Sequence, residues 1–413
     1  MHRGGQKTDS EYLRIAKSVY VTCRVFSNKR LYLQSSAGVI RLYYFFLYAG
    51  SAAWYPFFSV YLKDRGLSGT QIGLVFSMVP LMMLLALPAW GVAADHWGRR
   101  RVMLLLVATT ALLASGFLAM HAFVQLLVWT AVFAIVYNPI APLLDSLALD
   151  HVEQAKDTSF GRLRVWGSIG WAVATPAVGW FIAGKDTRYV FILAAILLTV
   201  SFLMGLTARN DIGKRSIVRL SSDELIPVLK NKTLFLFLAL IVLIAIGRVA
   251  MWNFYSVYLR DIGAGNQLLG IAFSVQAFSE LPFFFYAGIV IKRFGLRKVL
   301  IFSLLAMAVR IMAYTMIDNP IHAVLIDMSH GLTFSLFIVA CIEFVNVLVP
   351  ENLRATGQTL FWAAHFGAGA ILGNTMAGLL YDHMNVKQMY LVCAGTICLG
   401  LLVATVAPRL KRP

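Results

Sequence analysis

Twelve stretches of this sequence are long and apolar enough to cross a lipid bilayer. A helix needs about 20 consecutive apolar residues to span the hydrocarbon core, and these runs are continuous, whereas the strands of a membrane barrel alternate. The candidate spans, numbered 1 to 12 along the chain, are 41–62, 69–93, 102–120, 122–148, 163–184, 188–208, 234–259, 267–292, 298–317, 321–349, 354–381 and 386–407. The pattern predicts an all-α polytopic membrane protein with twelve transmembrane helices.

The composition agrees with lipid as the solvent for most of the chain. Only 13% of the 413 residues are charged, whereas soluble domains carry roughly 25% charged residues. The sequence contains no P-loop, no dinucleotide fingerprint and no metal-ligand spacing among its four cysteines. We therefore predict no cofactor and no metal, and the absence of a nucleophile motif or a sizeable soluble domain disfavours a membrane enzyme or a receptor.

The basic residues are distributed unevenly between the loops. Of the 36 Lys and Arg residues, 28 lie in the N-terminal tail, the even-numbered loops and the C-terminal tail, six in the odd-numbered loops and two inside spans. An excess of Lys and Arg marks the cytoplasmic loops of membrane proteins. The asymmetry predicts that both termini are cytoplasmic, and it explains the net charge of +17 by a lipid bilayer rather than by a nucleic-acid partner.

An internal repeat divides the chain into two halves. The segment SVYLKDRGLSGTQIGLVFS from Ser59 returns as SVYLRDIGAGNQLLGIAFS from Ser256, an offset of 197 residues that also relates Arg100 to Arg297. Two six-span repeats around a central site are a common transporter design. The predicted units are an N-terminal extension (1–40), a first six-helix bundle (41–208), a linker (209–233), a second bundle (234–407) and a tail (408–413).

The loop between spans 2 and 3 reads GVAADHWGRRR from Gly91. Gly91 permits a close helix approach, and Gly98 permits a tight turn, while Asp95 can accept from arginines or cap a helix. The pattern GxxxDxxGRR resembles the loop signature of the major facilitator superfamily of transporters. The resemblance implies that Gly91, Asp95, Gly98, Arg99 and Arg100 latch the two halves together on the cytoplasmic side.

Ionisable residues cluster inside the spans of the second half. They are Arg248, Glu280, Arg310, Asp327 and His330. Such residues are costly in a membrane and usually functional. Asp327, His330 and Thr333 are spaced i, i+3, i+6, so we expect them to share one helical stripe.

The first half offers a second polar group. It consists of Asp145 in span 4 and Arg164 and Trp171 in span 5, the last two separated by two helical turns on one face. The arginine can grip a polar ligand with two hydrogen bonds, and the indole can stack on a ring. We expect Arg162, at the start of span 5, to be a cytoplasmic anchor instead.

A closer resemblance covers the chain from about residue 41 to the C-terminus. The stretches YYFF from Tyr43, FGRLRVWGSIGW from Phe160 and AVRIM from Ala308 resemble the lactose permease group of proton symporters, and PLLD from Pro142 resembles the phenylpropionate permease branch. The resemblance implies a monomer that carries a small molecule together with protons. It implies substrate-binding roles for Asp145, Arg164, Trp171, Glu280 and His330, and a proton-coupling charge network of Arg248, Glu280, Arg310, Asp327 and His330.

Some positions depart from the lactose permease pattern. Thr333 stands where that group has the carboxylate that loses the proton, and Phe283 stands where it has a sugar-binding asparagine. The lactose permease group has an aspartate in span 7 and a lysine in span 10. These positions align with Arg248 and Asp327, so the two charges have opposite signs here. Because a stranded charge would be costly, we expect Arg248 and Asp327 to touch. The carboxylates left to carry the proton are Asp145, Glu280 and Asp327, with His330 as a relay, and the arginines on neighbouring spans favour Glu280 and Asp327.

Together these features predict a secondary transporter in a bacterial inner membrane that works by alternating access. The substrate class stays open between a sugar, a nucleoside and an aromatic acid. Proton-coupled import is favoured by the resemblance, and a proton-driven efflux antiporter is the alternative.

Overall fold

The computed structural model describes residues 37–155, 158–207 and 230–406, and these residues form twelve helical segments in the order of the predicted spans. The predicted tail and N-terminal extension, except for residues 37–40, and nearly all of the linker lie outside the described residues. The helices are α1 (37–54, Tyr55–Phe57 and Phe58–Asp64), α2 (Gly69–Trp97), α3 (Arg99–Gly116 and Phe117–Ala119), α4 (Phe123–Tyr137 and Ile140–Ala155), α5 (Phe160–Phe181), α6 (Tyr189–Thr207), α7 (Lys232–Asn253 and Tyr255–Asp261), α8 (Asn266–Phe294), α9 (Leu296–Thr315), α10 (Pro320–Asp327 and His330–Leu348), α11 (Arg354–Trp362, Ala363–Ala368 and Gly369–His383) and α12 (Val386–Val406).

Eight helical stretches of the described residues are apolar and long enough to cross a membrane by length and composition alone. Several of the twelve helices are divided into shorter pieces. Pro56 lies in the turn that interrupts α1, and Pro139 lies in the break of α4, because a proline lacks the N–H that a continuing helix needs. In α11 the segment Ala363–Ala368 is a π-helical bulge, a feature that is frequent at functional sites.

The repeat seen in the sequence sets where the helices begin. Helix starts in the two halves are separated by 197 residues at Gly69 and Asn266, Arg99 and Leu296, Phe123 and Pro320, and Tyr189 and Val386. The interruptions of α1 and α7 obey the same offset, since the last pieces of these helices run over Phe58–Asp64 and Tyr255–Asp261. The two halves are therefore built on one backbone plan.

Local chemistry fixes several helix boundaries. The side chain of Ser68 accepts from the backbone N–H of Gln71, and the side chain of Gln71 accepts from Ser68 in return, which is a capping box at the start of α2. Gly98 (φ +90°) and Gly295 (φ +89°) separate α2 from α3 and α8 from α9. This left-handed conformation favours glycine, and it is the tight turn expected of Gly98.

Two helix pairs join the halves along most of their length: α2 packs on α11, and α5 packs on α8. Glycines allow the backbones to approach closely. A Cβ on Gly73 would lie 2.3 Å from the backbone oxygen of Asn374, and a Cβ on Gly270 would lie 2.3 Å from the backbone oxygen of Thr175. Small residues at such crossings are typical of membrane helices.

Two reciprocal ion pairs hold the halves together at the end of the bundle that carries the odd-numbered loops, the odd-loop face. The Nζ atom of Lys63 lies 2.6 Å from Asp261, and Nη1 of Arg260 lies 2.7 Å from Asp64. These four residues, the clasp, are related in pairs by the 197-residue offset. Each half thus offers the other one basic side chain and one aspartate, as in a two-fold symmetric interface.

Further hydrogen bonds surround the clasp. The carboxylate of Asp382 at the end of α11 accepts from the first N–H groups of α2, including that of Thr70 at 2.8 Å. The Tyr381 hydroxyl accepts from Lys63 at 2.7 Å. A carboxylate at a helix N-terminus is stabilised by the helix dipole as well as by the hydrogen bonds. The odd-loop face is therefore closed.

At the opposite end, the even-loop face, the arginines of the GxxxDxxGRR loop bind within the first half. Nη1 of Arg99 lies 2.7 Å from Oδ2 of the buried Asp150 on α4, and Arg100 donates to two carbonyl groups in the last turn of α6. Arg297, the repeat partner of Arg100, donates to carbonyls at the end of α12. An arginine at a helix C-terminus satisfies free carbonyls and complements the dipole.

Between the described residues, the hydrogen bonds of the predicted latch arginines Arg99 and Arg100 stay within the first half. Gly91 has no atom within 4 Å of the position of an added Cβ, so the expected close helix approach at Gly91 is wrong for this state. Asp95 is exposed and has no side-chain partner in the part of the chain that the structure describes. A latch across the two halves stays a prediction for a state in which the even-loop face is closed.

Candidate functional site

A cavity of about 230 Å³ lies between the halves at mid-depth. The first half contributes the ends and faces of α1 and α2, and the second half contributes α7, α8, α10 and α11. Its polar lining consists of Tyr55, Arg248, Asn253, Glu280, His330 and Asn374. A mostly apolar cavity with a few convergent polar groups is the usual form of a small-molecule site.

A chain of hydrogen bonds runs from this cavity into the second half. Oε1 of Glu280 lies 3.1 Å from Nε2 of His330, and Nη1 of Arg310 binds Nδ1 of the same imidazole. Because a guanidinium can only donate, Nδ1 must accept, and a neutral His330 carries its proton on Nε2 and donates it to Glu280. Arg310 also donates to Asp327 at 3.1 Å.

Asp327 lies at the buried end of this chain and is fully enclosed. Its carboxylate accepts from the hydroxyls of Tyr255 and Tyr314 and from the amide of Gln276, in addition to Arg310. A buried carboxylate needs such a full set of donors to stay charged. Asp327 therefore serves as the fixed counter-ion of Arg310.

The expected contact between Arg248 and Asp327 is wrong. Arg248 points from α7 towards the π-helical bulge of α11, where its Nε donates to Nε2 of His365 at 2.8 Å. Asp327 ends the first piece of α10 and turns to α9, where Arg310 takes the place of the expected partner. The attraction that neutralises Asp327 therefore comes from α9 and not from α7.

The expected stripe on α10 is confirmed despite the break between its two pieces. Asp327, His330 and Thr333 are all buried, and all three bind Arg310, with Thr333 at 3.3 Å. Arg310 is thus the centre of the charge network in the second half. Thr333 supplies a neutral hydroxyl there.

The polar group of the first half is also assembled. Nε of Arg164 lies 3.6 Å from Oδ1 of Asp145, and the Tyr44 hydroxyl donates to the same carboxylate at 2.6 Å. The guanidinium stacks 4.3 Å above the ring of Tyr48. Trp171 instead lies 6.3 Å from the ring of Tyr55, so its indole faces an aromatic neighbour that lines the cavity.

The two polar groups face each other across water-accessible space. The side chains of Asp145 and Arg164 are 36% and 34% exposed, and that of Glu280 is 24% exposed. Arg164 of the first half lies within electrostatic range of Glu280, together with Arg248 and Arg310 of the second half. Since the clasp closes the odd-loop face, we expect water to reach these groups from the even-loop face.

Several residues of the site escaped the sequence reasoning. Tyr255 and Tyr314 complete the shell of Asp327, and His365 binds Arg248. Tyr44 and Tyr48 frame the Asp145–Arg164 pair, and the aromatic run of span 1 was the signal for them. His365 carried the same signal as the other intramembrane ionisable residues, a histidine inside an apolar span.

Comparison with known proteins places these features in a family. The sequence matches the MFS_1 like family over residues 39–392. It is 31% identical to the maltose permease of Geobacillus stearothermophilus, over 91% of this chain and 95% of that protein. It is 22% identical to the sucrose permease of Escherichia coli, over 87% of this chain and 90% of that protein.

The fold matches that of a solved transporter. The crystal structure of the nucleoside transporter NupG superposes with a TM-score of 0.81 at 19% identity, covering 91% of this chain and all of that one (100%). The likeness confirms the predicted fold class, an all-helical membrane protein with the major facilitator fold.

Proposed function

We propose that this chain, which belongs to the MFS_1 like family of membrane transporters, carries a small ring-bearing polar solute across a bacterial cell membrane together with protons. Family membership makes it a multi-pass membrane transporter of a small molecule and not an enzyme. The coupling to protons, the direction of transport and the class of solute are what we propose. Permeases for maltose and sucrose and a nucleoside transporter among the similar proteins support a sugar or a nucleoside, and an aromatic acid is the third class that the sequence leaves open.

The observation that supports proton coupling is the hydrogen-bonded chain from Glu280 through His330 and Arg310 to Asp327. Glu280 is partly exposed to the cavity, whereas Asp327 is enclosed and has a full set of donors. Of the two carboxylates at the ends of this chain, Glu280 is therefore the one that can exchange a proton with water in this conformation. We assign it the role of proton carrier, with His330 holding it in place and Asp327 as a permanent counter-ion.

The solute is proposed to lie between Arg164 and Asp145 on one side and Glu280 on the other. With both termini in the cytoplasm, the closed odd-loop face is outside and the open even-loop face is inside. Rocking of the halves then exposes the cavity to each side in turn. Proton binding to Glu280 removes its attraction for Arg164 of the opposite half, and this ties the protonation state to how the halves close.

Uptake into proteoliposomes tests the proposal. Purified protein is reconstituted with an imposed pH gradient, alkaline inside, and assayed with maltose, sucrose, uridine and 3-phenylpropionate. We expect accumulation of at least one probe by wild type. Glu280→Gln keeps the hydrogen bond to His330 but cannot carry a proton, so it should lose accumulation at least tenfold while it still exchanges solute across the membrane.

The matched control is Glu343→Gln, which removes an exposed carboxylate from the same helix as His330. This variant should accumulate solute like wild type. Accumulation by Glu280→Gln at the wild-type level, or wild-type uptake that ignores the pH gradient, would refute the role given to Glu280.

A further inference from the structure

Arg248 is the cation of the site that lacks an acid. Two of the three arginines near Glu280 have carboxylates within ion-pair distance, Arg164 with Asp145 and Arg310 with Asp327. Among the described residues, no carboxylate lies within 4 Å of Arg248. Its side chain is nevertheless buried and lines the cavity.

The surroundings of Arg248 hold the guanidinium in place without neutralising it. The rings of Phe334 and Phe366 each lie 5.2 Å from its central carbon, a distance at which aromatic rings attract a cation. Its Nε–H donates to Nε2 of His365. The other ring nitrogen of His365 is buried and has no partner among the described residues. Since Nε2 of His365 accepts, its Nδ1 carries the proton, and an unpaired donor therefore lies beside the guanidinium.

The two terminal nitrogens of Arg248 remain available. In the described part of the chain, its one hydrogen bond uses Nε, which leaves the Nη groups for a ligand. A guanidinium presents these donors as a planar fork that fits both oxygens of a carboxylate. The single positive charge matches a carboxylate better than a phosphate monoester, which carries about −1.5 to −2.

Resting on the proposed function, we propose that Arg248 binds the carboxylate of the solute, so that the substrate is a ring-bearing carboxylic acid. Its ring would lie against the aromatic lining that includes Phe334, Phe366 and Trp252. Arg248 is thereby a substrate-binding residue, not a member of an internal ion pair.

The charges of the site couple binding of the solute carboxylate at Arg248 to protonation of Glu280. Glu280 is the other unbalanced group, and the ionisable groups that face it are Arg164 from α5, Arg248 from α7, Arg310 from α9 and His330 from α10. When Glu280 is ionised, it offsets Arg248 across the cavity. A bound carboxylate takes over that task, and Glu280 can then accept a proton without leaving the site with excess charge.

The consequence is electroneutral transport. One carboxylate and one proton cross together, so no net charge moves. A neutral sugar or nucleoside that crossed with a proton would instead move one positive charge in each cycle. The membrane potential thus separates the two solute classes.

The experiment uses two pairs of probes that differ in one group: 3-phenylpropionate with 3-phenylpropanol, and glucuronate with glucose. Binding to the purified protein is measured by thermal stabilisation and by tryptophan fluorescence. Uptake into proteoliposomes is measured with a pH gradient alone and with a potassium–valinomycin potential alone. We expect at least one acid to bind at least tenfold more tightly than its neutral partner, and to accumulate with the pH gradient but not with the potential.

Arg248→Gln should weaken binding of the acid at least tenfold, and Arg248→Lys should keep part of it. Arg162→Gln, which removes an exposed arginine of α5, should bind like wild type. The melting temperature without solute shows that each variant is folded.

Three results would overturn the inference. They are that neither acid binds, that Arg248→Gln binds the acid as well as wild type does, or that a neutral probe accumulates with the potential alone. Acid exchange that is lost in Arg248→Gln but insensitive to pH keeps the anion site and rejects the proton coupling.

Discussion

Replacing Asp64 and Asp261 by asparagine removes both ion pairs of the clasp and leaves the rest of the odd-loop face intact. The asparagine carbonyls can still accept from the neighbours of the two acids, the hydroxyls of Thr187 and Tyr381. The substitutions therefore change charge and hardly change shape. We expect the double variant to populate states with an open odd-loop face more than wild type does.

The size of the effect follows from the exposure of the four side chains. In the Lys63–Asp261 pair they are 35% and 29% exposed, and in the Arg260–Asp64 pair 29% and 38%. Ion pairs of this kind contribute about 0.2–1 kcal/mol each, so that both together contribute roughly 0.4–2 kcal/mol. Since about 1.4 kcal/mol is a tenfold change in an equilibrium, the ratio of closed to open states should fall about two- to thirtyfold. High salt should reduce the difference.

Distances between spin labels on the two halves measure this ratio. Ala122 and Gln267 are exposed on the odd-loop face of different halves, and cysteines at these positions carry the labels after the four native cysteines have been replaced. Asp318→Asn is the matched control, because Asp318 pairs with Lys387 on the same face but within one half. If the double variant shifts the distance distribution no more than Asp318→Asn does, the clasp does not hold the face closed.

Three further changes test the packing. Gly98→Ala should lower the free energy of unfolding by about 1–3 kcal/mol because of its positive φ, whereas Gly91→Ala, with free space around it, should leave the melting temperature unchanged. Asp327→Leu strands the buried Arg310 and should cost about 3–5 kcal/mol of stability, and adding Arg310→Leu should restore part of it. Gly73→Ala places a methyl group 2.3 Å from a backbone oxygen of α11, so the spin-label distances should move away from the closed state.

The helices were predictable because a membrane span is defined by length and hydrophobicity. Span 2 was expected over 69–93 and runs over Gly69–Trp97, and span 12 was expected over 386–407 and runs over Val386–Val406. The sequence pattern does not separate the pieces of α4 and α10, because a short break lowers the mean hydropathy of a span only slightly.

The partners of the buried charges were not predictable in the same way. Helical periodicity places Asp327, His330 and Thr333 on one face, and the structure keeps them together around Arg310. Periodicity does not say which neighbouring helix that face meets. The partner of Arg248 depends in addition on the π-helical bulge of α11, which shifts the register of that helix by an amount the sequence pattern does not contain.

The repeat also distinguishes the contacts at the two ends of the bundle from the charged groups of the site. Positions of the clasp and of the even-loop turns are alike in both halves: Lys63, Asp64, Gly98 and Arg100 correspond to Arg260, Asp261, Gly295 and Arg297. The charged groups of the site are not repeated: at the same offset, Glu280, Arg310, Asp327 and His330 correspond to Met83, Leu113, Thr130 and Phe133. In the proposed alternating-access cycle, a symmetric pair of contacts lets either half take the role of the other when access changes sides. A symmetric set of buried charges would double the desolvation cost for a solute that is itself asymmetric. Among the described residues, the buried network around Arg310 accordingly lies in the second half, and the first half contributes the partly exposed Asp145–Arg164 pair.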